Sequence, residues 1–405
     1  MAKVVIVGAG PTGATLALLL TRHGIPVTLV EAAKDFKRVF RGEGLMPSGL
    51  DALKQMDVSK ILGQIPTRPL TGWEFIIDKN QLFRVEEPMG AEQPCTLVSQ
   101  PPLLEALITE AQKYTTFEFI QGIPVKDLQR RSAVEGEEST PLRITGVVLA
   151  DGREISAALV IGADGRNSIV RQRAGLQLVS QPNDINVLWF KLPTHPRFIE
   201  DNVFCSILNE GSVFSIFHGA EAGKLHLAWV VSADDKIDGK DQDWAETFAS
   251  LSPAWLASHF HSCADQIEPP IRLTVVVGRC PSWHQPGVLL LGDAAHPMSP
   301  VRAQGINLAF RDVIVAANHL VPQFKAGKSL DPVLSKIQAE REPEIVRAQH
   351  LQKQEARQGE LLRSNGVLRS LLHQFAPLIR PAARYSWIQR QQKLRQGVTK
   401  VKLTI

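Results

Sequence analysis

The stretch that most limits what this chain can fold into is Lys3 to Glu31, KVVIVGAGPTGATLALLLTRHGIPVTLVE. Val4-Val5-Ile6-Val7 is a short β-branched run of the kind that forms a parallel strand buried on both faces. Gly8, Gly10 and Gly13 follow at once in the spacing G-x-G-x-x-G, with Pro11 and Thr12 inside it, and Ala14 to Leu20 continues as an apolar helix. Each glycine has its own task. The first permits a sharp turn, the second lets the backbone approach a pyrophosphate, and the third lets helix pack closely on strand. The helix N-terminus adds N–H groups and a partial positive charge suited to phosphate. Pro26 to Val30 reads as the next strand and ends at Glu31. An acid about 20 residues past the glycines is placed to accept hydrogen bonds from a dinucleotide's ribose. A purely structural glycine turn would explain the triplet alone, but not the triplet followed by helix, strand and acid. A secretory leader is not expected, because three glycines and Pro11 break the apolar run and only Lys3 precedes it.

A chain of 405 residues is long enough to bury a large core and to form two lobes. A hydrophobic fraction of 44% and a charged fraction of 21% are ordinary for a soluble globular protein, and the cytoplasm is the expected location. No apolar run is long enough to cross a bilayer. A net charge of +4 is too small to imply a nucleic-acid partner. Cys95, Cys205, Cys263 and Cys280 are far apart, with no C-x-x-C pair and no histidines at metal spacing. Inert thiols in a reducing compartment, and no bound metal, are the expectation.

After Glu31, Arg41 falls in a glycine-rich, charged loop just before a helical pattern over Pro47 to Met56. A guanidinium there can brace a phosphate or a sugar-like chain, or simply be a solvated loop charge. Gly72 to Val85 alternates apolar and polar residues around Asp78-Lys79-Asn80 and reads as a hairpin. Gln100 stands before a helix whose first turn holds two prolines, and is a candidate polar contact for a cofactor. Ala158 to Ile161 is an apolar strand that runs into Gly162-Ala163-Asp164-Gly165 and then a helix start, where doubly wound folds place ligands. Asp164 and Ser168 would equally serve as plain turn or helix caps.

From Ile185 to Trp229 the pattern turns to antiparallel strands, with Phe214, Ile216 and His218 on one face. An aromatic sheet face over a cofactor is a plausible substrate wall, although such side chains more often fill core. Farther on, a buried strand ends at Gly292-Asp293, a loop with Pro300 follows, and Gln304-Gly305-Ile306-Asn307 opens a long apolar helix. Asp293 at a strand's carboxyl end is suited to sugar-like hydroxyls, and the helix aims its positive end at the same place.

These three motifs in one order resemble the FAD-dependent monooxygenases of the single-component aromatic hydroxylase family, whose type member acts on para-hydroxybenzoate. The resemblance covers roughly residues 1 to 320. It implies an α/β fold with a discontinuous, Rossmann-like FAD-binding lobe over residues 1–70, 96–180 and 281–330. An antiparallel-sheet substrate lobe is expected over 71–95 and 181–280, and a C-terminal helical region over 331–405. It implies that Glu31 binds the adenosine ribose, that Arg41 and Gln100 contact FAD, and that the Asp164 motif supports the pyrophosphate and the use of NADH or NADPH. Asp293 would bind the ribityl chain, and the loop from Pro300 to Asn307 would lie beside the isoalloxazine. Ala303 departs from the glycine that many relatives have before the Gln-Gly pair, which bears on loop geometry. In the family NAD(P)H reduces the flavin, oxygen forms a C4a-hydroperoxide, and its distal oxygen hydroxylates or epoxidises an electron-rich organic substrate. No protein nucleophile is required, so no catalytic residue is assigned.

A flavin reductase of the geranylgeranyl reductase type shares these motifs, and a flavin-binding protein without turnover is a third reading. Tyr114 and Tyr385 are the only tyrosines, which makes a tyrosine-rich phenol pocket unexpected. Beyond Glu360 no acid occurs, and arginines and lysines interleave with Leu371, Leu372, Phe375, Leu378, Ile379 and Trp387. Helices packed on the FAD lobe with a solvated basic face, or a peripheral contact with anionic membrane, both fit that pattern. A monomer and a homodimer are both compatible with the sequence.

Overall fold

A computed structural model describes residues 3–37, 44–90, 92–132, 142–182, 185–233 and 242–405. Val4–Val7 is the centre of a six-stranded sheet, paired in parallel with Leu159–Gly162 on one side and Val27–Glu31 on the other. Phe117–Gln121 extends the sheet beyond Val27–Glu31, and Val288–Leu290 extends it beyond Leu159–Gly162. All of these pairings are parallel, and the short edge strand His284–Gln285 is antiparallel. Alternation along the first strand sorts its side chains. Val4 and Ile6 face the helices Pro11–Arg22, Gln100–Ala111 and Gln304–Lys325. Val5 and Val7 face a second core, shared with the three-stranded antiparallel sheet Val125–Ser132, Leu142–Leu149 and Glu154–Ser156. The carboxyl ends of the central strands therefore open toward one edge of a sheet covered on both faces.

A second lobe is built on a seven-stranded sheet in the order Ile271–Thr274, Ile185–Pro193, Lys224–Ser232, Ser212–His218, Val203–Asn209, Gly72–Ile77 and Asn80–Glu86. The expected hairpin over Gly72 to Val85 is present. It joins the later strands through Val203–Asn209, which runs parallel to Gly72–Ile77. That strand, and the helices Trp244–Leu251 and Ala254–Ser262, were not among the sequence expectations.

The two faces of this sheet differ in what covers them. The outer face, with Phe190, Cys205, Phe214 and Ile216, is sealed by Phe248, Leu256 and Phe260 of the two helices. The inner face, with Trp73, Trp189 and Phe217, meets Met46, Ala303 and Trp387 from the rest of the molecule.

Three helices, Asp331–Ser364, Gly366–Gln374 and Ala376–Arg395, form the C-terminal region. Arg363 pairs with Glu360, Arg369 with Asp78, Arg390 with Glu355 and Arg395 with Glu87. Much of the positive charge in the tail is thus matched within the protein, which fits helices packed on the body. No helix among the described residues is long and apolar enough to cross a membrane. All four cysteines are buried and free, and burial pushes the Cys95 thiol up to about 12 and that of Cys280 up to about 11.

Candidate cofactor site

The three glycine-bearing motifs converge at the carboxyl end of Val4–Val7. Gly8 has φ +99°, a left-handed conformation that favours glycine, and a Cβ there would lie 2.5 Å from the Ala163 carbonyl oxygen. The first motif thus rests directly on the second. A Cβ on Gly292 would lie 2.4 Å from Thr12 Oγ1, so the third motif rests on the first. Gly10 is different, because a Cβ there would meet nothing within 4 Å. No neighbour among the described residues requires a glycine at that position, and the open ground before the helix beginning at Pro11 suits an incoming pyrophosphate.

Glu31 is buried at the end of its strand. Its Oε2 accepts the Ala9 N–H at 2.8 Å and its Oε1 accepts the Ala33 N–H at 2.8 Å. These bonds fix the carboxylate beside the glycine turn, and a carboxylate retains lone pairs for ribose hydroxyls. Asp164 accepts the Ser168 hydroxyl and the Val170 N–H, while Ser168 Oγ accepts the Arg171 N–H at 2.9 Å. Burial raises the pKa of Asp164 against the effect of these bonds. The Asp164 side chain is therefore engaged in capping the helix Ile169–Arg173, and it is the backbone of this motif that borders Gly8.

Asp293 is exposed between buried Gly292 and Ala294. A Cβ on Gly305 would lie 3.8 Å from Asp293 Oδ1, which places the carboxylate against the first turn of Gln304–Lys325. Pro300 is exposed at the head of the loop, Gly305 and Ile306 are half-buried, and Gln304 donates from Nε2 to the Arg302 carbonyl at 2.8 Å. Asn307 is fully buried. Its Oδ1 accepts the Met46 N–H at 2.8 Å, and its Nδ2 donates to the carbonyls of Gly44 at 3.0 Å and Ala303 at 2.6 Å. Its amide is used up in clamping two loops together, so it shapes the site without reaching into it. Gln100 is the first residue of its helix and is half-buried. Arg41 lies outside the described residues.

The loop is also braced from behind. Gln352 Nε2 donates to the carbonyls of Ser299 at 2.9 Å and Val301 at 2.6 Å, and Gln349 Nε2 donates to that of Gly278 at 2.6 Å. Arg302 and Ala303 both have positive φ, +61° and +50°, an uncommon conformation for residues with a Cβ. This strained pair sits at the sharp turn into the helix.

The expected substrate residues face the other way. Phe214 and Ile216 are fully buried in the outer core against the helices Trp244–Leu251 and Ala254–Ser262, so the sheet's pleat removes them from the cofactor side. His218 is buried at the strand end, its Nδ1 2.7 Å from the Gly219 carbonyl, and burial lowers its pKa. The neighbouring Phe217 is the residue on the inner face. It stacks on Phe204 at 4.9 Å and lies 5.9 Å from Trp189. His226 completes this group, its pKa pushed down to about 3 by burial and then by Lys191, so its ring is neutral. Sequence reasoning missed Trp73, Trp189, Phe217, Arg302 and Trp387. The signal was in hand, since the period of two that put Phe214 on one face put Phe217 on the other.

The fit to FAD rests on the bare approach at Gly10, the fixed carboxylate of Glu31 and the exposed Asp293 at a helix N-terminus, all along one edge of the sheet. Among the described residues no group of His, Cys, Asp and Glu is placed to hold a metal ion.

Comparison with known proteins agrees. Residues 1–350 match the family model described as FAD binding domain. The 6-methylpretetramide 4-monooxygenase of Streptomyces rimosus is 30% identical, over 87% of this chain and 83% of that protein. The 3-demethoxyubiquinol 3-hydroxylase of Escherichia coli (strain K12) is 27% identical, over 84% and 85%. Among solved structures, PqsL of Pseudomonas aeruginosa, titled a probable FAD-dependent monooxygenase, shares the fold with a TM-score of 0.74 at 22% identity, covering 89% of this chain and 99% of that one. The relatives are named for oxygen insertion, which sets that chemistry above the reductase and non-turnover readings. With its cofactor lobe, its second sheet and these relatives, the chain belongs to the family of FAD-dependent monooxygenases that take electrons from NAD(P)H.

Proposed function

We propose that this enzyme hydroxylates a hydrophobic aromatic substrate held between the inner face of the seven-stranded sheet and the loop from Pro300 to Asn307. The observation that carries this reading is the aromatic wall of Trp73, Phe75, Trp189, Phe204 and Phe217, which confronts Ala303 of that loop. Relatives named for 6-methylpretetramide and for a quinol support an aromatic substrate.

When bound, FAD supplies the redox and oxygen chemistry, and the chain's residues hold and shield it. In this reading Gly8, Gly10, Pro11, Thr12 and Gly13 cradle the pyrophosphate, with the Asp164 backbone and Gln100 beside it. Glu31 takes the ribose and Asp293 takes the ribityl hydroxyls. The first turn of Gln304–Lys325 would favour negative charge on a flavin held there, and the apolar sheet face would keep water away. The lobes follow residues 1–70, 96–180 and 281–330 for FAD, 71–95 and 181–280 for substrate, and 331–405 for the C-terminal helices.

The test is a visible spectrum of the purified protein, followed by NADH or NADPH with an oxygen electrode running. An oxidised-flavin spectrum with NAD(P)H-dependent oxygen uptake, accelerated by an aromatic compound, is expected. A flavin that is reduced without oxygen consumption would return the reductase reading.

A membrane-touching role for the C-terminal helices is a second reading. It rests on the exposed side chains Val367, Leu371, Leu378 and Tyr385, near exposed Arg380 and Arg384. Failure to pellet with anionic liposomes at moderate salt would remove it. Sizing in solution decides between monomer and homodimer, and fractionation tests the proposed cytoplasmic location.

A further inference from the structure

Arg302 and Trp387 come from distant parts of the chain and meet at the inner aromatic face. The Arg302 Cζ lies 5.0 Å from the centre of the Trp387 ring and 5.9 Å from that of Phe75. Trp387, on the helix Ala376–Arg395, is 4% exposed and is packed 5.9 Å from Trp73 and 5.1 Å from Phe75. Both residues bury a hydrogen-bond donor that has no acceptor among the described residues, Arg302 Nε and Trp387 Nε1. The neighbouring indole is satisfied, since Trp73 Nε1 donates to Glu87 Oε1 at 2.6 Å. Buried donors left without acceptors are uncommon and call for a reason.

The charge count points the same way. Arg302 Nη2 donates to Glu355 Oε2 at 3.1 Å, and Arg390 Nε donates to Glu355 Oε1 at 2.7 Å. One carboxylate therefore serves two guanidiniums, Arg302 mostly buried and Arg390 partly exposed, which among the described residues leaves an excess of positive charge beside the aromatic wall. Buried charge is normally balanced. Arg302 belongs to the loop that also carries Gln304 and Gly305, its backbone is left-handed, and its guanidinium lies over the Phe75 and Trp387 rings. A substrate ring set against the edge of the wall at Trp73 and Phe217 with an oxygen directed at these two donors would satisfy both.

We infer that Arg302 and Trp387 bind an acidic oxygen, carboxylate or phenolate, of the aromatic substrate and so fix which edge of its ring faces the flavin. This rests on the placement of the substrate given above and adds a specificity site to it. Trp387 makes the C-terminal helix part of the substrate site, joined through Glu355 to the helix Asp331–Ser364.

The test uses the FAD-loaded full-length enzyme and three matched probes, 2-naphthoate, 2-naphthol and naphthalene, titrated calorimetrically. The wild type is expected to bind the two oxygen-bearing probes more tightly than the bare ring, by about 5- to 100-fold for the acceptor gained. Arg302→Met is expected to bring both down to the naphthalene level, Arg302→Lys to retain part of the preference for 2-naphthoate, and Trp387→Phe to weaken oxygen-bearing probes several-fold. Flavin content and circular dichroism of each variant confirm that it has folded, and Arg302→Lys and Trp387→Phe keep the test open should Arg302→Met not fold. Equal wild-type affinity for all three probes, or an unchanged preference in the variants, overturns the assignment. A variant that shifts the flavin potential while leaving probe preference intact also overturns it, and moves Arg302 to the cofactor. Loss of the functional reading itself is separately visible, as absence of flavin or of NAD(P)H-dependent oxygen uptake before any probe is added.

Discussion

The carboxylate of Asp312 accepts the backbone N–H of Gly292 at 3.1 Å, twenty residues earlier in the chain. The same oxygen lies 2.7 Å from His296 Nε2, and the other accepts Arg341 Nε at 2.7 Å. Glu344 then joins Arg341 to Arg311, and its Oε1 accepts the Val398 N–H at 2.8 Å. The turn that presents Asp293 is therefore held from behind by a fully buried ionic network reaching the C-terminal tail. Burial alone would raise the pKa of Asp312, but His296 and Arg341 outweigh it and hold the carboxyl below its usual range. Glu344 is depressed likewise against burial, by Arg341 and Arg311. Groups depressed in the folded state add stability above their unfolded pKa, near pH 4, and that stability is lost as pH falls through the lower folded value. Asp312→Asn leaves Arg341 and His296 facing a neutral partner, and a loss on the order of 3 kcal/mol is expected. Denaturant unfolding at several pH values checks both points, since the variant's stability should fall less steeply between about pH 4 and pH 2.

Gly10 separates cofactor binding from folding. A Cβ there meets no atom of the described residues within 4 Å, so Gly10→Glu should fold with near wild-type stability. The new carboxylate would occupy the approach to the helix beginning at Pro11 and repel a pyrophosphate. The purified variant should be colourless with a normal far-ultraviolet spectrum. A yellow, FAD-loaded variant would refute the pyrophosphate assignment.

Asp293→Ala should leave the fold intact, because the side chain is exposed and the backbone of its neighbours is held elsewhere, Gly292 by Asp312 and Ala294 by Arg171. Loss of charge-assisted hydrogen bonds to the ribityl hydroxyls is expected to weaken FAD by about 1.5–3 kcal/mol. FAD affinity measured by fluorescence on adding cofactor to the stripped protein gives the number. Unchanged affinity would leave Asp293 a structural role only.

Most of the cofactor lobe was legible in the sequence because its geometry is local. A strand, a glycine turn and a helix start follow one another within a dozen residues at Gly8 and again at Gly292, so pattern and place coincide. The substrate lobe was less legible. Val203–Asn209 is apolar enough for a strand, but its defining partner, Gly72–Ile77, lies far earlier in the chain, so nothing local gives its place in the sheet. Which face of Ser212–His218 meets the flavin lobe depends on what covers the other face, and the covering helices follow later. Trp387 was seen as one aromatic in a basic tail. Nothing local indicates that its helix crosses the hairpin, because that contact is tertiary. Asp312 is likewise a polar residue in a largely apolar helix whose reason lies at Gly292 and Arg341.

Ala303 is where sequence and backbone conflict most openly. It occupies φ +50° and ψ +39°, which costs a residue with a Cβ about 1–2 kcal/mol. Ala303→Gly relieves that strain, offset by roughly 0.5–1 kcal/mol of added chain entropy when unfolded. The Ala303 Cβ also touches Gly44, 3.2 Å from where a Cβ of that residue would stand, and this contact is lost. A net gain of up to about 1 kcal/mol is expected, read as a rise of up to about 1 °C in Tm of the apoprotein. A fall in Tm would show that the methyl's contact with Gly44 outweighs the strain.

The opposed sides of Ser212–His218 give the sharpest test of where substrate binds. Phe214 sits in the outer core, 5.6 Å from Phe248, and is sealed from the flavin side by the sheet itself. Phe214→Ala is expected to destabilise by about 3–5 kcal/mol while KM of the surviving folded enzyme stays near wild type. Phe217, three residues on, stacks between Phe204 and His226 on the inner face. Phe217→Leu keeps most of the volume, so its stability cost should be smaller, about 1–2 kcal/mol, while the ring whose edge would meet an aromatic substrate is gone. Its signature is a raised KM for whichever aromatic first accelerates oxygen uptake, with FAD content unchanged. The reverse result, an altered KM from Phe214→Ala and none from Phe217→Leu, would place the substrate on the helix-covered side and reverse the assignment of the two faces.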